Sequence, residues 1–156
     1  MTDDALKNTE LTFLLGMSFQ LVLREFTERI SAAGYPDLRP IHGFTFQALQ
    51  HQGLTGTELA DKLGVTKQAA GQIVDDLEAR GYLLREPHPA GGRRKLITLT
   101  DKARTHLRVA GQTLHALEAE ITEKLGTTDL AQLRTQLAQI IRTISPQSTP
   151  ALRPMW

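Results

Sequence analysis

The chain has no cysteine among its 156 residues. Disulfide bonds, thiolate metal sites and oxidant sensing through a thiol are therefore excluded. Long hydrophobic runs are also missing: no apolar stretch is long enough to span a membrane, and no secretory signal is recognisable. We therefore expect a cytoplasmic protein with no membrane partner.

An excess of charge of one sign is lacking too. The formal net charge is only +1, so affinity for nucleic acid would have to come from cations placed locally. Phosphate-binding and dinucleotide glycine motifs and a Gly-x-Ser-x-Gly motif are missing. The five histidines lack the close spacing of a local metal motif. We predict a protein that is not an enzyme and that carries neither cofactor nor metal.

Start and stop signals in the middle of the chain indicate two short helices. Thr55 and Glu58 have the spacing of a capping box, in which each side chain satisfies a free amide at the helix start. Gly64 can adopt the left-handed conformation that ends a helix. Thr66 can cap the next helix and Gly81 can end it. Helices this short must pack on each other and on a third, which predicts a helix-turn-helix.

The second helix, expected over residues 67–80, has an apolar and a polar face. Its buried stripe repeats at helical spacing in Ala70, Ile73, Val74 and Leu77. On the polar side, glutamine can read adenine, lysine can reach guanine or phosphate, and glycine lets the backbone come close. An ordinary solvated face is the alternative, but the elements on either side favour DNA reading. The candidate DNA-binding residues are Thr66, Lys67, Gln68, Gly71 and Gln72.

A hairpin with a basic tip follows this helix. Residues 82–86 and 96–100 have the apolar, aromatic and β-branched composition of strands. Two prolines and two glycines between them predict a loop. Cations at its return suit phosphates or a narrow minor groove, although a plain solvated loop is the alternative. The candidate DNA-binding residues here are Arg93, Arg94 and Lys95.

Together these segments resemble the multiple-antibiotic-resistance regulator (MarR) family of bacterial transcription factors. The matching motifs are Leu59-Ala60-x-x-Leu63-Gly64-Val65-Thr66, then Val74-Asp75-x-Leu77-Glu78-x-x-Gly81-Tyr82-Leu83, then Arg93, Leu96 and Leu99-Thr100. The resemblance implies a homodimer that binds a pseudo-palindromic operator in double-stranded DNA, usually as a repressor. It also implies a small effector ligand, often aromatic or phenolic, that releases the DNA.

The expected fold is mainly α with a small β-hairpin, in one domain over residues 1–156. Residues 40–101 form the winged helix-turn-helix. Residues 8–33 and 102–145 form apolar N- and C-terminal dimerisation helices, although an intrachain bundle or a coiled coil with another partner remains open. Residues 146–156 form an irregular tail, which either is disordered or packs Leu152 and Trp156 across the dimer.

Two departures from the family pattern affect function. Gly91 and Gly92 stand where an acid and a basic residue usually precede the wing arginine. Gly71 and Gln72 stand where the recognition helix often has serine or threonine and then arginine. The operator sequence therefore cannot be taken from relatives. A winged-helix protein-interaction module without DNA binding is the alternative function.

Family ligands bind where the helix after Pro40 meets the first helix and the helix after the wing. Side chains that could line such a pocket in this chain are Phe13, Met17, His42 and Phe46. A plain core or interface position is the interpretation that we favour for each of them, so they are not counted among the site residues.

Overall fold

The computed structural model describes residues 4–153. After a short 3-10 turn at Ala5–Asn8, the elements are α1 (Leu11–Ala32), α2 (Pro40–Leu49), α3 (Gly56–Leu63), α4 (Lys67–Ala79), β1 (Leu83–Pro87), β2 (Lys95–Leu99), α5 (Asp101–Leu125) and α6 (Thr127–Ile144). A mainly helical fold with one hairpin is thus confirmed. Trp156, for which disorder and packing across a dimer were both left open, lies outside the described residues. Within them, no helix combines the length and apolar character needed to cross a bilayer.

The helix-turn-helix is set by local capping. The Thr55 backbone N–H donates to Glu58 Oε2 at 2.8 Å, and the Glu58 N–H donates to the Thr55 hydroxyl at 3.3 Å. Gly64 ends α3 in the left-handed region, with φ of +68°. The Thr66 hydroxyl accepts a hydrogen bond from the Ala69 N–H in the first turn of α4, and Gly81 follows that helix at φ +79°. The predicted capping box, caps and glycine turn are all confirmed.

The core lies inside the winged region. It is built from large side chains of α2, α3, α4 and β1 that are almost fully buried: Phe46, Leu49, Leu59, Leu77 and Leu83. Neither short helix of the helix-turn-helix could bury this area alone, so α3 and α4 are stabilised by packing on each other and on α2. This rigid core holds the outward face of α4 in place.

The hairpin is antiparallel, with Leu83 opposite Leu99 and Pro87 opposite Lys95. Leu54 joins it as an isolated bridge to Ile97, with N–O distances of 3.1 and 2.7 Å. The helix before it ends at Leu49, four residues earlier than the expected end near Gly53. The chain must leave the helix there so that Leu54 can lie beside β2.

The terminal helices are much less covered. Ile30 is the only buried residue of α1, and the described part of α6 has none. Phe13 is 62% exposed and Ile144 is 78% exposed. In a single chain these helices therefore present open apolar faces.

Candidate nucleic-acid interface

The N-terminal end of α4 is open to solvent and free of acids. Lys67, Gln68 and Gln72 are exposed, and their side chains make no hydrogen bond or ion pair with the described residues. Thr66 is exposed, but its hydroxyl is already engaged in capping α4. A Cβ added at Gly71 would meet nothing within 4 Å, so a ligand can approach the backbone closely there. The helix dipole is positive at this end, which favours an approaching phosphate.

The acids further along α4 are paired within the chain. Arg85 of β1 binds both Asp75, with Nη2 to Oδ1 at 2.6 Å, and Glu78. Arg80 holds Asp76 at 2.7 Å. The negative charge of α4 is thus largely compensated before any DNA approaches, and β1 is fixed to the recognition helix.

Arg85 was not predicted from the sequence. Its partners lie across the turn at Gly81, so helical spacing does not connect them. The only available signal was indirect: a group of acids on one helix, followed by a strand with a single arginine.

The wing tip is built on two left-handed glycines, Gly91 at φ +78° and Gly92 at φ +83°. Residues with a Cβ rarely adopt this conformation, so the departure from the family pattern has a conformational reason. Arg93, Arg94 and Lys95 are exposed, and their side chains make no hydrogen bond or ion pair with the rest of residues 4–153. The wing cations are therefore available to a partner.

The start of α4 and the wing tip are held in fixed relative positions, although no hydrogen bond or ion pair between described residues joins them directly. Arg85 connects β1 to α4, and α3 provides a second connection. Glu58 accepts hydrogen bonds from Thr55 that lower its pKa, and the nearby charges of His88 and Arg94 lower it further. The base of the wing therefore lies close to the start of α3.

A cavity of about 600 Å³ opens between α1, α2 and α5. Its walls are mainly apolar, with Phe19, Phe26, Phe44 and Leu107 among them, and its polar lining includes Arg39, Gln47, Lys62 and His106. No acid lines it among the described residues. His106 is buried, which lowers its pKa, and its Nδ1 has no hydrogen-bond partner there.

The cavity lies where the sequence analysis expected one, but the four candidate side chains do not line it. Phe46 and His42 are fully buried in the core, and Phe13 and Met17 are exposed outside the cavity. His42 Nδ1 instead accepts the Arg39 N–H at 3.0 Å. The core positions of Phe46 and His42 agree with the interpretation that the sequence analysis favoured. For Phe13 and Met17, helical spacing alone does not show which side of α1 meets α5.

A helix-turn-helix followed by a basic hairpin defines the class of winged-helix DNA-binding proteins. Residues 37–94 match the sequence model of the MarR family. The match covers little more than a third of the chain, and in this region the chain is similar to the MarR family of transcription regulators.

Several solved structures are similar to the chain over most of its length. The transcriptional repressor CouR bound to a 23-mer DNA duplex is 27% identical over 90% of this chain and 97% of its own, with a TM-score of 0.70. CouR from Rhodococcus jostii RHA1 bound to p-coumaroyl-CoA is 26% identical over 88% and 94%, with a TM-score of 0.66. RV1404 from Mycobacterium tuberculosis, 24% identical over 85% and 90%, shares the fold with a TM-score of 0.75. No curated protein matches the chain in sequence.

Proposed function

We propose that this protein is a homodimeric, ligand-responsive repressor that binds a pseudo-palindromic operator in double-stranded DNA. Its place of action would be the cytoplasm, where bacterial DNA lies. One observation carries the proposal: the start of α4 is exposed and acid-free, and Arg85 fixes the helix to a hairpin whose three tip cations, Arg93, Arg94 and Lys95, are unpaired among the described residues.

The two elements have different proposed roles. Base reading falls to Lys67, Gln68, Gly71 and Gln72 at the start of α4, with Thr66 holding that end of the helix. Affinity for the DNA backbone or the minor groove falls to Arg93, Arg94 and Lys95 of the wing. Helix contacts should therefore discriminate between sequences, and wing contacts should strengthen binding to all of them.

The open apolar faces of α1 and α6 support the homodimer. Side chains such as Phe13 and Ile144 are too exposed to be core positions of a lone chain. Pairing of two chains would cover them and place the recognition helices one turn of DNA apart, roughly 34–36 Å. A stable monomer at micromolar concentration in light scattering would contradict this assembly.

The cavity supports a small effector. Its apolar walls suit an aromatic or other apolar body, and Arg39 and Lys62 suit an anionic group. CouR with p-coumaroyl-CoA is a similar protein holding an aromatic acyl ligand. A ligand that prefers the form unable to bind DNA must lower operator affinity by linkage.

The effector is sought by thermal shift with small aromatic acids and phenols. Gly43→Leu is the matched control, because Gly43 lines the cavity and a Cβ added there meets nothing within 4 Å. A larger side chain at this position should occupy the cavity without a clash. True effectors should stabilise the wild type, release its DNA, and leave Gly43→Leu unaffected. If no compound in a broad panel does so, a constitutive regulator is favoured.

The DNA-binding surface is tested with Gln72→Ala and Arg93→Ala. Gln72→Ala should weaken binding to the cognate operator by about 1–3 kcal/mol and relax preference at one base position per half-site. Arg93→Ala should weaken cognate and scrambled duplexes alike and reduce the salt slope by about one. Fluorescence anisotropy at several salt concentrations measures both effects. Unchanged affinity in both variants would favour the protein-interaction module instead.

A further inference from the structure

We propose that the C-terminal segment, residues 150–153, is a movable wall of the effector cavity and ties that cavity to the helix-turn-helix. The inference rests on the proposed ligand function of the cavity. It assigns a binding and a coupling role to a part of the chain that lies outside both the winged region and the terminal helices.

The segment returns to the body of the protein after α6 ends at Ile144. Pro146 and Pro150 cannot continue a helix, and the Ser145 hydroxyl donates to the Ser148 carbonyl at 2.8 Å, which closes a turn. The chain then runs back so that Ala151 and Leu152 line the cavity beside α1 and α2.

Arg153 anchors the segment on α3. Its Nη2 donates to the Asp61 carbonyl at 3.0 Å, in the last turn of that helix. A cation is favoured there, because the helix dipole is negative at its C-terminal end. The stem of Arg153 lies over Gly64, where an added Cβ would approach its Cδ to 2.9 Å. The Arg153 side chain therefore packs on the glycine turn of the helix-turn-helix.

The same short segment thus touches both the cavity and the DNA-binding motif. Lys62 and Leu63, next to the anchor on α3, line the cavity as well. Leu152 is 64% exposed, and within residues 4–153 a single hydrogen bond holds the arginine. A segment held by so few contacts opens at low cost in free energy. A ligand that packs against Leu152 would therefore favour the anchored position of the segment, and by reciprocity it would strengthen the Arg153 contact with α3.

The test uses the full chain and 1-anilinonaphthalene-8-sulfonate, an aromatic anion that fluoresces in apolar sites. Leu152→Ala removes a wall contact and Arg153→Ala removes the anchor. Each should weaken binding of the probe by roughly three- to tenfold, given the apolar area involved. Thr149→Ala, an exposed position in the same segment, should change it by less than about twofold. Gly43→Leu should abolish binding at the cavity.

The outcomes distinguish the proposed role of residues 150–153 from the proposed ligand binding in the cavity. Weaker binding in both tail variants, with Thr149→Ala unchanged and Gly43→Leu inactive, supports the proposal. If Gly43→Leu removes binding while Leu152→Ala and Arg153→Ala bind like wild type, the wall is wrong and the cavity remains a ligand site. If the wild type binds no probe, or binds it no better than Gly43→Leu does, the cavity and its wall are both rejected. Operator binding, measured in parallel, tests the DNA-binding function independently.

Discussion

The region from α2 to β2 and the terminal helices α1 and α6 bury their apolar side chains to very different degrees. Helices α3 and α4 each have three buried residues although they have only 8 and 13 residues. By contrast, the 22 residues of α1 have one, and the 18 residues of α6 have none. The winged region buries its apolar side chains within its own chain, whereas the terminal helices would need a second surface to bury theirs.

This difference matches two different tasks. A recognition helix must be held rigidly, because base reading depends on the positions of a few side chains. In the proposed dimer, terminal helices that pair between chains would set the distance between the two recognition helices. A ligand in the cavity between α1, α2 and α5 would alter that distance without unfolding the core.

The largest expected effect tests the packed region. Leu77→Ala should lower the free energy of unfolding by about 2–5 kcal/mol, because Leu77 is fully buried and leaves a cavity. Leu21→Ala on α1 should cost less than about 1 kcal/mol in the folding of its own chain, since that residue is 54% exposed. Urea unfolding at two protein concentrations measures both. Equal losses for the two variants would remove the distinction between the regions.

The second prediction tests the open region. Phe13→Asp should weaken dimerisation by roughly 2 kcal/mol or more, because it places a charge in an aromatic interface position. Thr12→Asp, at the exposed neighbouring position, is the matched control and should change dimerisation little. Sedimentation equilibrium reports the dissociation constants. If Phe13→Asp dimerises like the wild type, this part of α1 is not in the interface.

The third prediction compares an ion pair from each region. Arg85→Ala releases Asp75 and Glu78 from their partner beside the DNA-binding surface, so operator affinity should fall by about 1–2 kcal/mol. Arg134→Ala breaks an exposed pair with Glu118 in the terminal helices, at 2.6 Å. That change should cost at most about 1 kcal/mol in stability and leave operator affinity unchanged. Anisotropy and thermal unfolding of both variants provide the check; equal operator affinities would show that Arg85 has no role in DNA binding.

The last prediction, small for each step in pH, is a pH dependence inside the packed region. Burial, with Arg39 and Arg80 nearby, lowers the pKa of His42 from 6.5 to about 4. Above pH 6.5 the histidine is neutral in both states. As the pH falls toward 4, the unfolded chain binds a proton that the folded chain excludes. Stability should therefore fall by at most about 1.4 kcal/mol per pH unit from this group.

The matched variants for this pH effect are His42→Asn and His115→Asn. Asparagine at position 42 retains an acceptor for the Arg39 N–H, and His115 is exposed on α5. Stability curves from pH 7 to 4 should be flatter in His42→Asn than in the wild type and unchanged in His115→Asn. Parallel curves for all three proteins would show that His42 titrates normally.

Local signals predicted the winged region well. Each signal acts on the backbone only a few residues away, and the structure confirms the Thr55–Glu58 capping box and the glycine turns at Gly64 and Gly81. Such features depend on nearest neighbours along the chain and need no knowledge of the fold.

Contacts between distant segments were not predictable in the same way. Three contacts depend on how packed elements meet: the pairing of Arg85 with Asp75, the Leu54 bridge to β2, and the packing of Arg153 on Gly64. The cavity lining failed for the same reason, since Phe19 rather than Phe13 faces inward from α1. Periodicity shows that a helix has an apolar face, but not which neighbour covers each part of it.

Gly53 limits how this chain can evolve. Its backbone torsions are not those that demand glycine, yet a Cβ there would stand 2.7 Å from Leu96 Cγ and 2.9 Å from Thr98 Cγ2. Space, not torsion, therefore keeps position 53 small. A descendant that gained a side chain at 53 would have to lose volume on β2 in compensation. A side chain at position 53 should therefore be accepted only together with a smaller residue at position 96 or 98.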